Sequence, residues 1–260
     1  MKRTTSPVLP AAVLALAAVL IPNHTRAQNI FVANAANGTI SEFDPSGTLI
    51  NATFGSALSS PHGLAFDGSG NLYVANFSNG TVAKLDSGGN AATFASGLSQ
   101  PYDLAFDHSG NLFVANSANN TVSEFSSSGT LINAAFASGL HTPEGLAFDG
   151  SGNLYAANLN SGIISKINSG GTASTFVSGI SEPLGLAFVS SDNLYVTSLN
   201  TGTIEKFDSS GSLITSSFAS GLSSPTFLAV KPAPVPEPSV WAIMGMGLAA
   251  LLGRRPRRNT

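Results

Sequence analysis

The sequence predicts an all-β fold: a five-bladed β-propeller of four-stranded antiparallel blades, closed by pairing of N- and C-terminal half-repeats. Three observations carry this reading. A hexapeptide recurs every 40 or 42 residues, only short apolar segments lie between glycine-rich turns, and the two ends of the repeat array hold complementary fragments of one repeat.

The hexapeptide is Asn29–Asn34 (NIFVAN), Asn71–Asn76 (NLYVAN), Asn111–Asn116 (NLFVAN), Asn153–Asn158 (NLYAAN) and Asn193–Ser198 (NLYVTS), at successive spacings of 42, 40, 42 and 40. One full unit, 58–97, shows how a blade is built. Gly63–Phe66 reads as an inner strand whose apolar continuity suits protein on both faces. Asp67-Gly68-Ser69-Gly70 is a turn, in which the Asp carboxylate accepts backbone N–H groups and glycine admits positive φ. Leu72–Ala75 is the second strand, Asn79-Gly80 the next hairpin, Thr81–Leu85 the third strand and Ala91–Phe94 the fourth. The blades are then 58–97, 98–139, 140–179, 180–221, and a composite of 222–230 with 28–57. In the composite, the C-terminal fragment supplies the inner strand that the N-terminal fragment lacks. Pairing the two leaves no open sheet edge at the seam.

Charge is partitioned along the chain. All six arginines lie in 1–27 or 233–260, whereas 28–232 holds four Lys against thirteen Asp and Glu, a net −9. A body of that charge has no basic stripe to neutralise phosphates, which argues against nucleic-acid binding. With no cysteine in the chain there is no disulfide, zinc thiolate or thiol nucleophile. Residues 1–27 read as a signal peptide, with Lys2 and Arg3 at the start, an apolar run Val8–Ile21 and a small residue, Ala27, for signal peptidase to cut after. The third segment, 233–260, follows the proline-stiffened Pro232–Pro238 with an apolar run Ser239–Gly253 and the cluster Arg254, Arg255, Arg257 and Arg258. Some 15 apolar residues span only about 22 Å, a marginal membrane helix. Its arginines would hold the end in the cytoplasm and leave the body outside.

The order Pro236-Glu237-Pro238, apolar helix, arginine cluster resembles the PEP-CTERM sorting signal of Gram-negative bacteria. That resemblance implies an exosortase-like transpeptidase as partner and a C-terminal helix that anchors the chain only until processing. The protein is then expected in the periplasm, on the outer surface or in the extracellular matrix. The pattern Pro-x-Gly-Leu-Ala-Phe-Asp-x-x-Gly-Asn-Leu-Tyr-Val-Ala-Asn at 61–76 resembles the NHL repeat and the streptogramin-lyase and SMP-30/gluconolactonase propellers. It departs from them in carrying Asn34, Asn76, Asn116 and Asn158 where NHL repeats often have Asp, and in having five blades where six are usual.

Two sets of residues meet at one rim of such a propeller. The position after the repeated proline varies: His62, Tyr102, Glu144, Leu184 and Thr226. The position closing the second strand hardly does: Asn34, Asn76, Asn116, Asn158 and Ser198. Variation at an otherwise fixed position marks a site, and constancy marks scaffold. The candidate ligand-binding rim is therefore His62, Tyr102, Glu144 and Thr226, with Asn76, Asn116 and Asn158 beside them, for a small molecule, polysaccharide or protein ligand. No catalytic residue and no obligate cofactor is assigned. A divalent cation, if bound, would sit on Glu144, and the SMP-30 resemblance adds Asp103, Asn116 and Asn158 around it. The leading expectation is a non-catalytic binding module of the envelope or matrix; the alternative implied by resemblance is a metal-dependent lactonase or lyase. The aspartates Asp67, Asp107 and Asp149 read as turn formers, and Glu42, Lys84, Glu124, Lys166 and Lys206 as a solvated outer face.

Every Trp and Arg lies outside 28–232. The processed protein should therefore focus well below the full-chain pI of 5.7 and show tyrosine but no tryptophan emission, checked by an isoelectric gel and a fluorescence spectrum.

Overall fold

The computed structural model describes residues 29–189, 192–223 and 225–226. The signal peptide, the sorting tail and most of the expected closing strand lie outside these residues. The described chain is all strand, arranged as a five-bladed propeller. The first sheet contains β1 (Ile30–Asn34), β2 (Thr39–Phe43) and β3 (Leu49–Gly55). The second runs through β4 (Pro61–Phe66), β5 (Leu72–Asn76), β6 (Thr81–Leu85) and β7 (Ala91–Ser96), and the third through β8 (Pro101–Phe106), β9 (Leu112–Asn116), β10 (Thr121–Phe125) and β11 (Leu131–Ala137). The fourth comprises β12 (Pro143–Phe148), β13 (Leu154–Asn158), β14 (Ile163–Ile167) and β15 (Ala173–Ser178), and the fifth β16 (Pro183–Phe188), β17 (Leu194–Ser198), β18 (Thr203–Phe207) and β19 (Leu213–Ala219). Every pairing is antiparallel and sequential, the arrangement that two- to five-residue hairpin loops allow.

The core lies between blades. Tyr73, Ala75 and Val82 of the second blade pack on Leu104, Leu112 and Val114 of the third, and the same packing recurs between the third and fourth and the fourth and fifth. Strands β5, β9 and β13 are consequently buried on both faces, which is why their sequences are continuous rather than alternating. An aromatic triad repeats at each interface between consecutive described blades. Tyr73 lies edge-on to Phe94 of its own blade and to Phe106 of the next, both at 4.9 Å, and Phe113 does the same with Phe136 and Phe148. Each such pair adds about 0.5–1.5 kcal/mol beyond its area.

Lysine completes the motif where the aromatic residue is tyrosine. Lys84, Lys166 and Lys206 stand over Tyr73, Tyr155 and Tyr195 at 5.3–5.4 Å, and the first two also approach Asp67 and Asp149 at 3.9 and 4.0 Å. Where the aromatic residue is Phe31 or Phe113, the cross-strand partner is Glu42 or Glu124. The charges on the third strands thus have particular neighbours, while the Lys84 and Lys166 side chains stay 39% and 37% exposed, on the solvated outer face expected from sequence.

Blades alternate between two kinds. The outer strands β3, β11 and β19 have seven residues and two register shifts each against the third strand, whereas β7 and β15 have six residues and one. This is the structural origin of the 42/40 alternation in spacing.

Near the axis, adjacent inner strands touch through backbone. A Cβ on Gly145 would fall on the carbonyl oxygen of Leu184 in the next blade, and one on Gly63 would meet Asp103 Cα at 2.7 Å and Tyr102 O at 2.8 Å. At the seam, the Thr197 hydroxyl accepts from Gly185 N at 2.7 Å and donates to Thr226 O at 2.9 Å. The Thr197 hydroxyl thus bridges Gly185 N and Thr226 O, which brings Thr226 beside the inner strand of the fifth blade, the side expected for the closing inner strand.

Gly145→Ala is expected to lower stability by about 1–3 kcal/mol through this backbone collision, seen as a fall in thermal midpoint of roughly 2–4 °C per kcal/mol. Gly68→Ala, where nothing lies within 4 Å, is the control and should leave the midpoint unchanged.

Candidate functional site

The rim is built by a bulge repeated in every described inner strand. Pairing with the second strand slips between Pro61 and Leu64, Pro101 and Leu104, Pro143 and Gly145, and Pro183 and Leu186. The extra residue turns the side chain after the proline out of the sheet. The residue before each proline, Ser60, Gln100, Thr142 or Glu182, has φ of 50–53°, a left-handed conformation costly for non-glycine residues. Its carbonyl accepts the N–H of the residue that follows the second strand: Phe77 to Ser60, Ser117 to Gln100, Leu159 to Thr142 and Leu199 to Glu182, at 3.0–3.2 Å.

The repeated asparagines lock this junction from the side. Asn76 Oδ1 accepts Ser59 N, Asn116 Oδ1 accepts Ser99 N and Asn158 Oδ1 accepts His141 N, at 3.0–3.1 Å. Their amide groups donate across the hairpin, Asn116 to Ser123 Oγ at 2.8 Å and Asn158 to Ser165 Oγ at 2.9 Å. Asn34 likewise donates to Ser41 Oγ, and Ser198 donates to Glu205.

Three of the variable residues form a row over successive blades. His62 is half-buried, with its ring 4.5 Å from that of Tyr102 and 5.1 Å from Phe77, while Phe77 stands edge-on to Tyr102 at 6.1 Å. Burial lowers the His62 pKa from its ordinary value, so the ring is neutral at pH 7. Burial, followed by the negative charges of Glu144 and Asp103, pushes the Tyr102 phenol up to about 12. Glu144 is only 8 % exposed, and burial raises its carboxyl to about 7. Among the described residues no hydrogen bond reaches that carboxyl. Asp103, equally buried, is also raised to about 7 by burial, against the opposing hydrogen bonds of the Leu146 and Leu104 N–H groups. Its Oδ2 takes Leu146 N at 2.9 Å and so satisfies an inner-strand amide that has no further strand beside it.

Leu184 is buried, with its carbonyl against Gly145, the residue after Glu144, and Thr226 is exposed and held through its carbonyl. Phe77 joins the row although sequence reasoning passed over it. It occupies a position that varies as Ala35, Phe77, Ser117, Leu159 and Leu199, so the same test of variation among repeats, applied one residue further on, would have found it. The sorting residues Pro236, Glu237, Pro238 and the four arginines lie outside the described residues.

A divalent cation does not fit the donors at this rim. Six to eight oxygens are its usual complement, whereas the Asn116 and Asn158 oxygens hold backbone amides, Asp103 holds Leu146 N, and Glu144 alone stays open. At the opposite end, a cavity of about 370 Å³ is lined by Phe106, Phe148, Phe188, Asp107 and Asp149. The Asp149 carboxylate there is engaged by Ser151 N, Asn153 N and Tyr155 Oη, as a turn former is.

The pattern at 58–85 matches the NHL repeat model, and 234–258 match the PEP-CTERM protein-sorting motif. The chain carries an NHL repeat and a PEP-CTERM sorting motif. The motif supports export and exosortase-type sorting to the cell envelope. No curated protein matches the sequence. Among solved structures, virginiamycin B lyase from Staphylococcus aureus superposes with a TM-score of 0.66 at 14% identity, covering 78% of this chain and 71% of that one. A gluconolactonase from Xanthomonas campestris gives 0.64 at 19% over 72% and 71%, and a chain of a nidogen/laminin complex 0.67 at 22% over 78% and 82%. At these identities the likeness establishes the propeller fold alone.

Asp103 gives the fold a pH signature. With a folded pKa near 7, above the ordinary carboxyl value of 3.8, the native state binds the extra proton, so this group's contribution to stability is present at low pH and lost as pH rises from about 4 through about 7. Asp103→Asn should therefore match the parent at pH 4 and exceed it at pH 8, measured as the difference between two urea-unfolding series.

Proposed function

We propose that the chain is an exported envelope or matrix protein whose propeller binds a ligand at the channel mouth, through His62, Phe77, Tyr102 and Glu144. Signal peptidase would release the chain before Gln28. An exosortase-type enzyme would then act at Pro236-Glu237-Pro238, with the apolar run 239–253 serving as a membrane anchor until that step. The observation that carries the binding reading is Glu144: a residue only 8 % exposed whose carboxyl accepts no hydrogen bond among the described residues, and whose charge acts on Tyr102, itself packed against the rings of His62 and Phe77. Partial desolvation raises this carboxyl to about 7, a cost to its charged form that a cationic or hydrogen-bonding ligand can offset.

The donor arrangement favours binding over metal-dependent lactonase or lyase chemistry, because three of the four side chains a catalytic metal would use, Asp103, Asn116 and Asn158, already hold backbone amides. Incubating the exported protein with lactones in the presence of Mg, Ca, Mn or Zn should give no turnover. Turnover that Glu144→Ala abolishes would overturn the binding reading. For the tail, intact mass of the surface-associated protein should correspond to loss of the segment after Pro238, and replacing Pro236-Glu237-Pro238 by alanines should leave the full-length tail in the membrane fraction.

A further inference from the structure

The mouth is acidic and aromatic, and among the described residues no lysine or arginine is placed at it. The lysines among the described residues, Lys84, Lys166 and Lys206, are on the third strands over Tyr73, Tyr155 and Tyr195, and every arginine lies in 1–27 or 233–260. The titratable groups at the mouth are His62 on β4, Tyr102 and Asp103 on β8 and Glu144 on β12, with His141 and Glu182 on the loops that enter β12 and β16. His62 and Tyr102 are neutral at pH 7, which leaves Asp103 and Glu144 as the carboxyls that burial raises; Asp103 is turned into the fold and tied to Leu146 N, so Glu144 is the one open to a ligand.

We propose that this mouth binds an organic ammonium group, with Glu144 as its counter-ion and the rings of Tyr102, His62 and Phe77 as its wall. The proposal rests on the binding reading above and names the ligand class. An ammonium needs one carboxylate and polarisable ring faces, which are present; cation–π attraction strengthens where water is excluded. A hard divalent ion needs an oxygen shell, which is occupied elsewhere. A neutral ligand would leave the buried charge of Glu144 uncompensated.

Titration calorimetry of the full chain in mild detergent at pH 7, where glucosamine is still mainly the ammonium, tests this with matched probes: glucosamine against N-acetylglucosamine, and tetramethylammonium against tert-butanol. Each cation should bind at least tenfold more tightly than its uncharged counterpart. Tighter binding of glucosamine assigns the amine to a sugar, and tighter binding of tetramethylammonium assigns it to a small free amine; either supports the proposal. Glu144→Gln should abolish the preference without lowering the thermal midpoint, and Tyr102→Ala should weaken both cations. In the unaltered chain, affinity should fall about tenfold for each pH unit below about 7, as the ligand competes with the proton on Glu144. Equal binding of charged and uncharged probes, or a preference that survives Glu144→Gln, overturns the proposal. If the uncharged sugar binds equally well and Tyr102→Ala removes it, the ammonium assignment fails while the mouth stands as a binding site. Failure of every probe, together with lactone turnover, overturns both.

Discussion

Around the axis of this propeller, inner strands of neighbouring blades meet backbone to backbone, and that contact sets the rest of the structure. The third position of the inner strand has no room for a side chain where Gly145 faces Leu184 O and where Gly63 faces Tyr102 O. A strand held this close to its neighbour cannot also keep ideal pairing with its own second strand, and the slip appears as the bulge after each proline. The bulge aims the following side chain at the channel mouth, and the left-handed residue before the proline is held there by an amide from the hairpin above. Scaffold and site are thus two aspects of one crowding problem. At Asp103, the chain places a carboxylate where the other described blades have glycine, and the side chain fits only by reaching across to the Leu146 amide.

The repeat made the fold legible in the sequence because a 40- or 42-residue period with glycine turns leaves few architectures open. Comparing repeats with one another also separated two kinds of rim position. The near-constant asparagines proved to bond the loop that precedes the inner strand, and the variable row His62, Tyr102 and Glu144 proved to cross three adjacent blades. Phe77 was hidden because an apolar residue after a buried strand reads as core. The left-handed residues before the prolines were hidden for a different reason: proline ordinarily drives its predecessor to extended backbone, so only the tertiary contacts reveal the exception. The lysines over the tyrosines were likewise invisible until cross-strand register placed Lys84 opposite Tyr73.

Electrostatically the two ends of the channel differ. In the turns at one end, the pKa values of Asp67 and Asp149 are lowered: hydrogen bonds to their carboxylates outweigh the effect of burial. At the other end Glu144 and Asp103 are raised by burial. Fold stability is served by the first arrangement and opposed by the second, the usual relation between a framework and a binding site.

The alternation of seven- and six-residue outer strands carries a consequence of parity. Two kinds of blade can alternate without fault only around a ring with an even number of blades, and this ring has five. Long blades at both ends of the series, bearing β3 and β19, become neighbours at the seam, so one junction in the ring joins like to like. A chain that grows by copying its 82-residue pair of blades would preserve the odd count and that single mismatched junction at every size. The place where the chain ends meet is therefore distinguishable from every other interface by blade type as well as by connectivity.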